Sequence, residues 1–240
     1  MMKRLFLAAA LMLMPLASFA QELTEERIKE LALQAILENP QIIMEAVAIL
    51  DEQRQAAEAA ASAQVLTQQR NLLENDPNAP AIGAAEPTAI VVEFFDYNCP
   101  YCKRVAGDVH KLVEDDPDVR LVYREWPILG EGSVFAARAA LAAREQDLYA
   151  EMHDALMNLN GRAEEASVLA VAREVGLDID QLLADMQSEA IAAHIETSMG
   201  LARALGFTGT PSFVIGDALV PGAVPLAELE NLVARARAAE

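Results

Sequence analysis

The chain has 240 residues, 53% of them apolar, and a formal charge of −19. So acidic a composition argues against nucleic acid and anionic lipid surfaces as partners, because it shares their sign of charge. The length suits one good-sized domain plus an extension, and the low aromatic content with many alanines points to helix.

The first twenty residues read as an export signal: Lys3 and Arg4 precede an apolar run from Leu5 to Leu16, and Ala17-Ser18-Phe19-Ala20 places small residues where a signal peptidase reads them. Cleavage is expected after Ala20, and losing Lys3 and Arg4 takes the charge from −19 to −21. The run is shorter than the roughly 20 residues a membrane span needs and contains Pro15. The mature chain is therefore expected outside the cytoplasm, where disulfides persist, with a bacterial periplasm the natural compartment.

Residues 21–75 read as a helical arm. Thr24 is a candidate N-cap, with Glu25 and Glu26 placed favourably for the helix dipole, and Ile28, Leu31, Ala35 and Ile36 form an apolar face. Asn39-Pro40 ends this helix and starts another, on which Ile42, Ile43, Ala46, Val47 and Leu50 continue the helical spacing. From Asp51 to Asn75 the large side chains thin out among Gln, Glu and Ala. A helix from Pro40 to Glu74 would be roughly 50 Å long. Two readings follow: an arm folded back on its own domain, or a stalk that pairs with other copies over 24–75 and uses the Ala-rich stretch as a spacer. The second is favoured, because a long, weakly amphipathic helix needs a partner. No heptad is sustained, so no subunit number follows.

Asp76 to Pro87 is predicted as a linker, and 88–240 as a second domain. A strand is expected over Thr88–Phe95, a helix over Pro100–Glu114 and a strand over Val119–Glu125, which together make a right-handed βαβ unit. A helical insertion of three or four helices follows over about 133–205, broken near Asn160-Gly161 and Gly176-Leu177-Asp178. Strands at Ser212–Ile215 and Ala218–Val220 and a final helix from Pro225 to Ala238 complete an α/β domain.

The chemistry-bearing motif is Cys99-Pro100-Tyr101-Cys102, which holds the only two cysteines of the chain. A strand running into C-x-x-C at a helix start, in an exported chain, points to thiol–disulfide exchange. At a helix N-terminus the unpaired N–H groups and the dipole favour a Cys99 thiolate, and Cys102, one turn on, is placed to resolve a mixed disulfide. Pro100 fits a first helical turn, having no N–H to lose. A structural disulfide over so short a loop would remove little chain entropy. A zinc site wants about four ligands, and only His110, His153 and His194 are available, at no recognisable spacing. No metal and no cofactor are implied.

With these residues in view, the stretch from about Thr88 to Glu240 resembles the thioredoxin superfamily and, within it, the DsbA-like thiol oxidoreductases. The resemblance rests on Phe94-Phe95 ahead of C-P-Y-C, on the helical insertion, and on Thr210-Pro211 opening the returning strand in GTPSFVIGD. It implies a thioredoxin fold with a DsbA-type insertion, a cis Thr210–Pro211 bond lying against the cysteines, and a Thr210 backbone that pairs with substrate as an added strand. It makes Pro100, Tyr101, Thr210 and Pro211 the substrate-facing residues. It also makes Glu93, six residues before Cys99, a buried acid that exchanges the proton of Cys102. Tyr101 departs from the histidine of strongly oxidising DsbA and implies a weaker oxidant. The arm together with C-P-Y-C looks similar to the ScsC-like proteins, in which an N-terminal helical segment assembles the chain.

The expected function is protein disulfide isomerisation or reduction through Cys99 and Cys102, on exported cysteine-containing proteins, with a membrane redox partner that recycles the site. The alternatives are a monomeric dithiol oxidase, and a copper(I)-handling or chaperone module that uses the two sulfurs as soft ligands.

Overall fold

The computed structural model describes residues 24–239, so the export signal expected over 1–20 lies outside the described residues. Packing divides the chain into two units, Met1–Arg54 and Gln55–Glu240.

The first unit contains helix α1, Glu25–Glu38, and the start of α2, Gln41–Asn75. The Thr24 hydroxyl accepts from the Arg27 N–H at 3.3 Å, and Asn39 closes α1 with its own N–H on the Ala35 carbonyl. Tertiary burial contributes little here. No residue of α1 is buried, and Leu37 and Met44 are 72% and 69% exposed. Ile28, Leu33, Ile43 and Leu50 are likewise exposed.

The second unit is built on a five-stranded sheet of order β1-β3-β2-β4-β5: β1 Ala81–Gly83, β2 Ala89–Phe95, β3 Val119–Glu125, β4 Ser212–Ile215 and β5 Ala218–Pro221. β2 and β3 run parallel, joined by helix α3, Pro100–Asp115, while β4 pairs antiparallel with β2 and β5 with β4. β2 is nearly continuous in apolar side chains because both faces of the sheet are covered. On one face Val91, Phe95, Leu121 and Phe213 join the core under α3 and the insertion. On the other, Val92, Phe94, Val122 and Val214 pack with Trp126, Leu201, Leu205 and Phe207.

Two boundaries differ from the sequence reading. The segment 76–87 is no linker throughout, because Ala81–Gly83 forms an edge strand antiparallel to β3, with Ile82 opposite Leu121. Nor is the Ala-rich stretch a spacer to its end. Leu66 and Leu73, on the last third of α2, are 4% and 1% exposed within the second core, since the sheet's far face needs a cover. The insertion also has more breaks than expected. It comprises α4 Glu131–Ala142, α5 Tyr149–Met157, α6 Glu165–Val175, α7 Ile179–Asp185 and α8 Glu189–Ala204, with a 3-10 turn at Ala143–Gln146. Asp147 takes a left-handed conformation (φ 56°), which aspartate tolerates, and Ser188 caps α8. The last helix, α9, spans Leu226–Ala239.

One ion pair ties α2 to the sheet. Arg124, fully buried on β3, donates to Asp76 Oδ2 at 2.7 Å and to the carbonyls of Leu72 and Leu73 at the end of α2. Burial alone would raise the Asp76 pKa, but the bond and charge of Arg124 and the Asn78 N–H outweigh it and hold the carboxyl below its ordinary range. Asp76→Ala strands a buried guanidinium and should cost about 3 kcal/mol in urea unfolding at neutral pH. Asp76 favours the folded state when ionised, so its contribution is full above the ordinary carboxylate pKa and is lost as pH falls through the depressed one. The variant should therefore lose less stability on acidification than the parent.

Candidate active site

β2 delivers the chain through Asp96-Tyr97-Asn98 into Cys99, which is the N-cap of α3 with extended backbone angles (φ −80°, ψ 116°). Pro100 is the first helical residue and exposed, as is Tyr101, while Cys99 and Cys102 are 3% and 0% exposed. Both cysteines are unpaired thiols in the structure. The Thr210–Pro211 bond is cis, Pro211 is buried, and the Thr210 carbonyl accepts from the Cys99 thiol at 3.1 Å. The structure thus brings Cys99, Cys102 and Thr210 together, and seats Glu93 (2% exposed) in the middle of β2 beneath them.

The two sulfurs are polarised in opposite directions. The hydrogen bond from Cys102, the Thr210 side chain and the Tyr101 and Cys102 backbone N–H groups, working against burial, draw the Cys99 thiol down from 9.0 to about 5. Once Cys99 is ionised its sulfur accepts from these donors and its own bond to the Thr210 carbonyl is given up. Cys102 is pushed far up by burial, by its bond to Cys99 and by the charge of Glu93. Glu93 is itself raised from 4.5 to about 8, first by burial and then by the charge of Cys99. At neutral pH the site therefore holds a thiolate at Cys99, a thiol at Cys102 and a mostly neutral Glu93. That arrangement suits nucleophilic attack on a disulfide followed by attack on Cys99.

The approach to Cys99 is held by side chains that the sequence did not single out. Asp96 accepts from the N–H groups of Asn98, Ile128 and Leu129 at 2.7, 2.8 and 2.9 Å. Asn98 pairs with both backbone groups of Ala163, at 2.8 and 3.0 Å, and donates to the Ser133 hydroxyl. Beyond the motif, Lys103 donates to the Leu159 carbonyl at 2.6 Å, so the residues either side of the four-residue motif grip the same α5–α6 loop. Gly132 permits this convergence, since a Cβ there would lie 2.2 Å from the Ala163 carbonyl oxygen.

A second buried polar cluster stands behind the motif. Tyr97 and Tyr149 donate to Glu125 Oε1 at 2.9 and 3.1 Å, and the Tyr97 hydroxyl lies 3.1 Å from His153 Nδ1. Burial raises Glu125 well above the carboxylate range and lowers His153 to about 3, so the cluster is uncharged at neutral pH. His194 accepts the Glu125 N–H at 3.2 Å. His110 pairs with Asp154, the neighbour of His153 on α5, at 3.1 Å. The signal for the cluster was faint: an acid ending a strand that already carries two arginines, and three aromatic or imidazole side chains scattered over two other segments.

The profile of the DSBA-like thioredoxin domain family matches residues 90–234. A thioredoxin-like oxidoreductase from Silicibacter pomeroyi is 61% identical, with 71% of this chain and 99% of that one covered and a TM-score of 0.70. A periplasmic thioredoxin-like protein from Salmonella enterica is 37% identical over 70% of this chain and 95% of its own, with a TM-score of 0.65. Proteus mirabilis ScsC in a transitional conformation is 31% identical over 90% of this chain and 96% of its own, with a TM-score of 0.67. Among curated proteins, an Na(+)/H(+) antiporter NhaA from Salinispora tropica is 33% identical over 135 residues, 55% of this chain and 21% of the antiporter. The chain thus spans about a fifth of the length of the antiporters it matches.

Two titrations check the polarisation. Thiolate absorbance of the reduced protein should have its midpoint at about pH 5 and move upward in Cys102→Ala, which removes the largest stabilising bond. Folded Glu93 holds a proton that the unfolded chain releases between 4.5 and about 8, so it costs stability progressively as pH rises through that window. The advantage of Glu93→Gln over the parent should be near zero at pH 4.5 and on the order of a few kcal/mol at about pH 8, read from urea midpoints.

Proposed function

Because the chain belongs to the DSBA-like thioredoxin domain family, we propose that it is a periplasmic protein thiol–disulfide oxidoreductase that works as an isomerase or reductase. The observation that carries this reading is the opposed polarisation of two adjacent sulfurs, one thiol drawn down to about 5 and its neighbour pushed up. The Cys99 thiolate attacks a substrate disulfide, forms a mixed disulfide and releases the substrate's other sulfur as thiolate. In isomerisation that freed thiolate attacks another disulfide of the substrate, and the thiolate this releases attacks the substrate sulfur of the mixed disulfide, closing a new substrate disulfide and expelling Cys99 as thiolate. In reduction Cys102 loses its proton to the ionised fraction of Glu93, which grows once Cys99 enters the mixed disulfide and its charge no longer helps to hold the Glu93 proton. Cys102 then attacks Cys99 and expels the second substrate thiolate, leaving a Cys99–Cys102 disulfide and a reduced substrate. A membrane redox partner then returns two electrons to the pair.

Assembly is part of the proposal. The apolar side chains of the first unit, Leu37 and Met44 among them, are exposed in the single chain, and covering them with other copies removes that surface from water. Several active sites held together raise the effective concentration at which a bound substrate meets a second thiolate, which favours isomerisation over single-pass oxidation. The likeness to ScsC over 90% of this chain supports the same reading, and the periplasmic thioredoxin-like protein of Salmonella supports the compartment. The competing dithiol oxidase has the same chemistry without the assembly.

Three measurements test this. Cys102→Ser should accumulate mixed disulfides with exported proteins and Cys99→Ser should form none. The parent should refold a scrambled disulfide protein faster than it oxidises a reduced one. Removing residues 24–54 should yield a monomer by light scattering that retains dithiol exchange but loses most refolding activity; a parent that is already monomeric contradicts the assembly.

A further inference from the structure

A cleft of about 470 Å³ is bounded by Tyr101 and Arg104 of α3, by Thr208–Thr210, and by Pro221–Ala223 at the end of β5, and the Thr210 carbonyl on its wall accepts from the Cys99 thiol. Tyr101 and Arg104 lie three residues apart on the exposed side of the helix, and the Arg104 guanidinium carbon sits 4.9 Å above the Tyr101 ring centre. None of the lining residues is acidic. Arg104 pairs with no carboxylate among the described residues. Its neighbour Lys103 is turned inward onto the Leu159 and Gly161 carbonyls, so its charge is spent within the fold. The nearby acids are directed elsewhere: Glu93 is buried and mostly neutral at neutral pH, Asp96 faces three N–H groups, and Asp108 faces the Leu226 N–H at 3.3 Å, so none of them pairs with Arg104.

We propose that Arg104, held over Tyr101 at the rim of this cleft, makes the site select substrate disulfides whose cysteine is flanked by an acidic residue. The proposal rests on the exchange activity proposed above and names the substrate class of that same site. An extended substrate segment whose cysteine reaches Cys99 passes along Thr210, and its neighbouring side chain falls into the cleft facing the guanidinium. Stacking on the ring holds the guanidinium in place, so less freedom is lost when it pairs with a carboxylate. The overall negative charge of the chain opposes acidic substrates, but beyond about 8 Å it is screened at physiological salt, so the contact pair decides. An exposed pair of this kind is worth about two- to fivefold in rate.

The test uses the reduced full-length protein and three disulfide-linked peptides identical except for Glu, Gln or Lys beside the cysteine. Reduction rates are compared for the parent, Arg104→Gln and Arg104→Glu, each divided by the rate of the Gln peptide with the same variant, which cancels any change in Cys99 acidity. The Glu/Gln ratio should be about three in the parent, fall towards one in about 1 M salt, where screening acts within ~3 Å, and be near one in Arg104→Gln. It should fall below one in Arg104→Glu, with the Lys peptide then the fastest. Equal ratios in the parent and Arg104→Glu, with exchange intact, overturn the assignment of Arg104 alone. Failure of the parent to reduce any of the three peptides overturns the exchange reading and this one with it.

Discussion

The site turns on the hydrogen bond between two sulfurs. Cys99 can hold a negative charge in a largely buried position because Cys102 keeps its proton and donates it, and Cys102 keeps that proton because it has no exposure and faces the charge of Cys99. Each condition is the cause of the other. Burial alone would raise both thiols. The helix start adds to the asymmetry: Cys99 as N-cap is favoured as thiolate by the Tyr101 and Cys102 backbone N–H groups, while Cys102, one turn inside, is dominated by burial.

That asymmetry requires Cys99 to be placed with little freedom, and the placement is shared among distant parts of the chain. Asp96, Asn98 and Lys103 hold the motif mainly against backbone groups of 128–129 and 159–163, with the Ser133 hydroxyl as a side-chain partner. Backbone partners move only when their elements move, so the insertion acts as a frame for the redox helix. Tyr97, anchored on Glu125 and beside His153, extends the same frame into the core with groups that are all neutral.

The far side of the sheet has a simpler task. Val92, Phe94, Val122 and Val214 need a cover, which comes from α8 and from the final third of α2, pinned by Arg124 to the carbonyls at the end of α2. The helix that begins in the first unit therefore ends as part of the catalytic domain. The Ala-rich middle of α2 reads as a spacer because it lacks large side chains, yet Leu66 and Leu73, together with the Arg124 bonds, fix its last turns to the core.

Much of the molecule was legible from the residues in order. A continuous apolar run, C-P-Y-C and a helical face after it specify a strand, a nucleophile pair and a helix start, because period and capping act over a turn or two. The strands Val119–Glu125 and Ser212–Ile215 and the breaks at Gly161 and Gly176 were determined in the same local way. What only the tertiary structure decided depends on partners far apart in the chain. Three residues, Ala81–Gly83, become a strand only because β3 offers a free edge. Glu125 becomes a neutral core acid only because Tyr97, Tyr149 and His153 arrive from other segments. Pairing across tens of residues leaves no periodic trace in sequence, since its energy belongs to the contact and not to either segment alone.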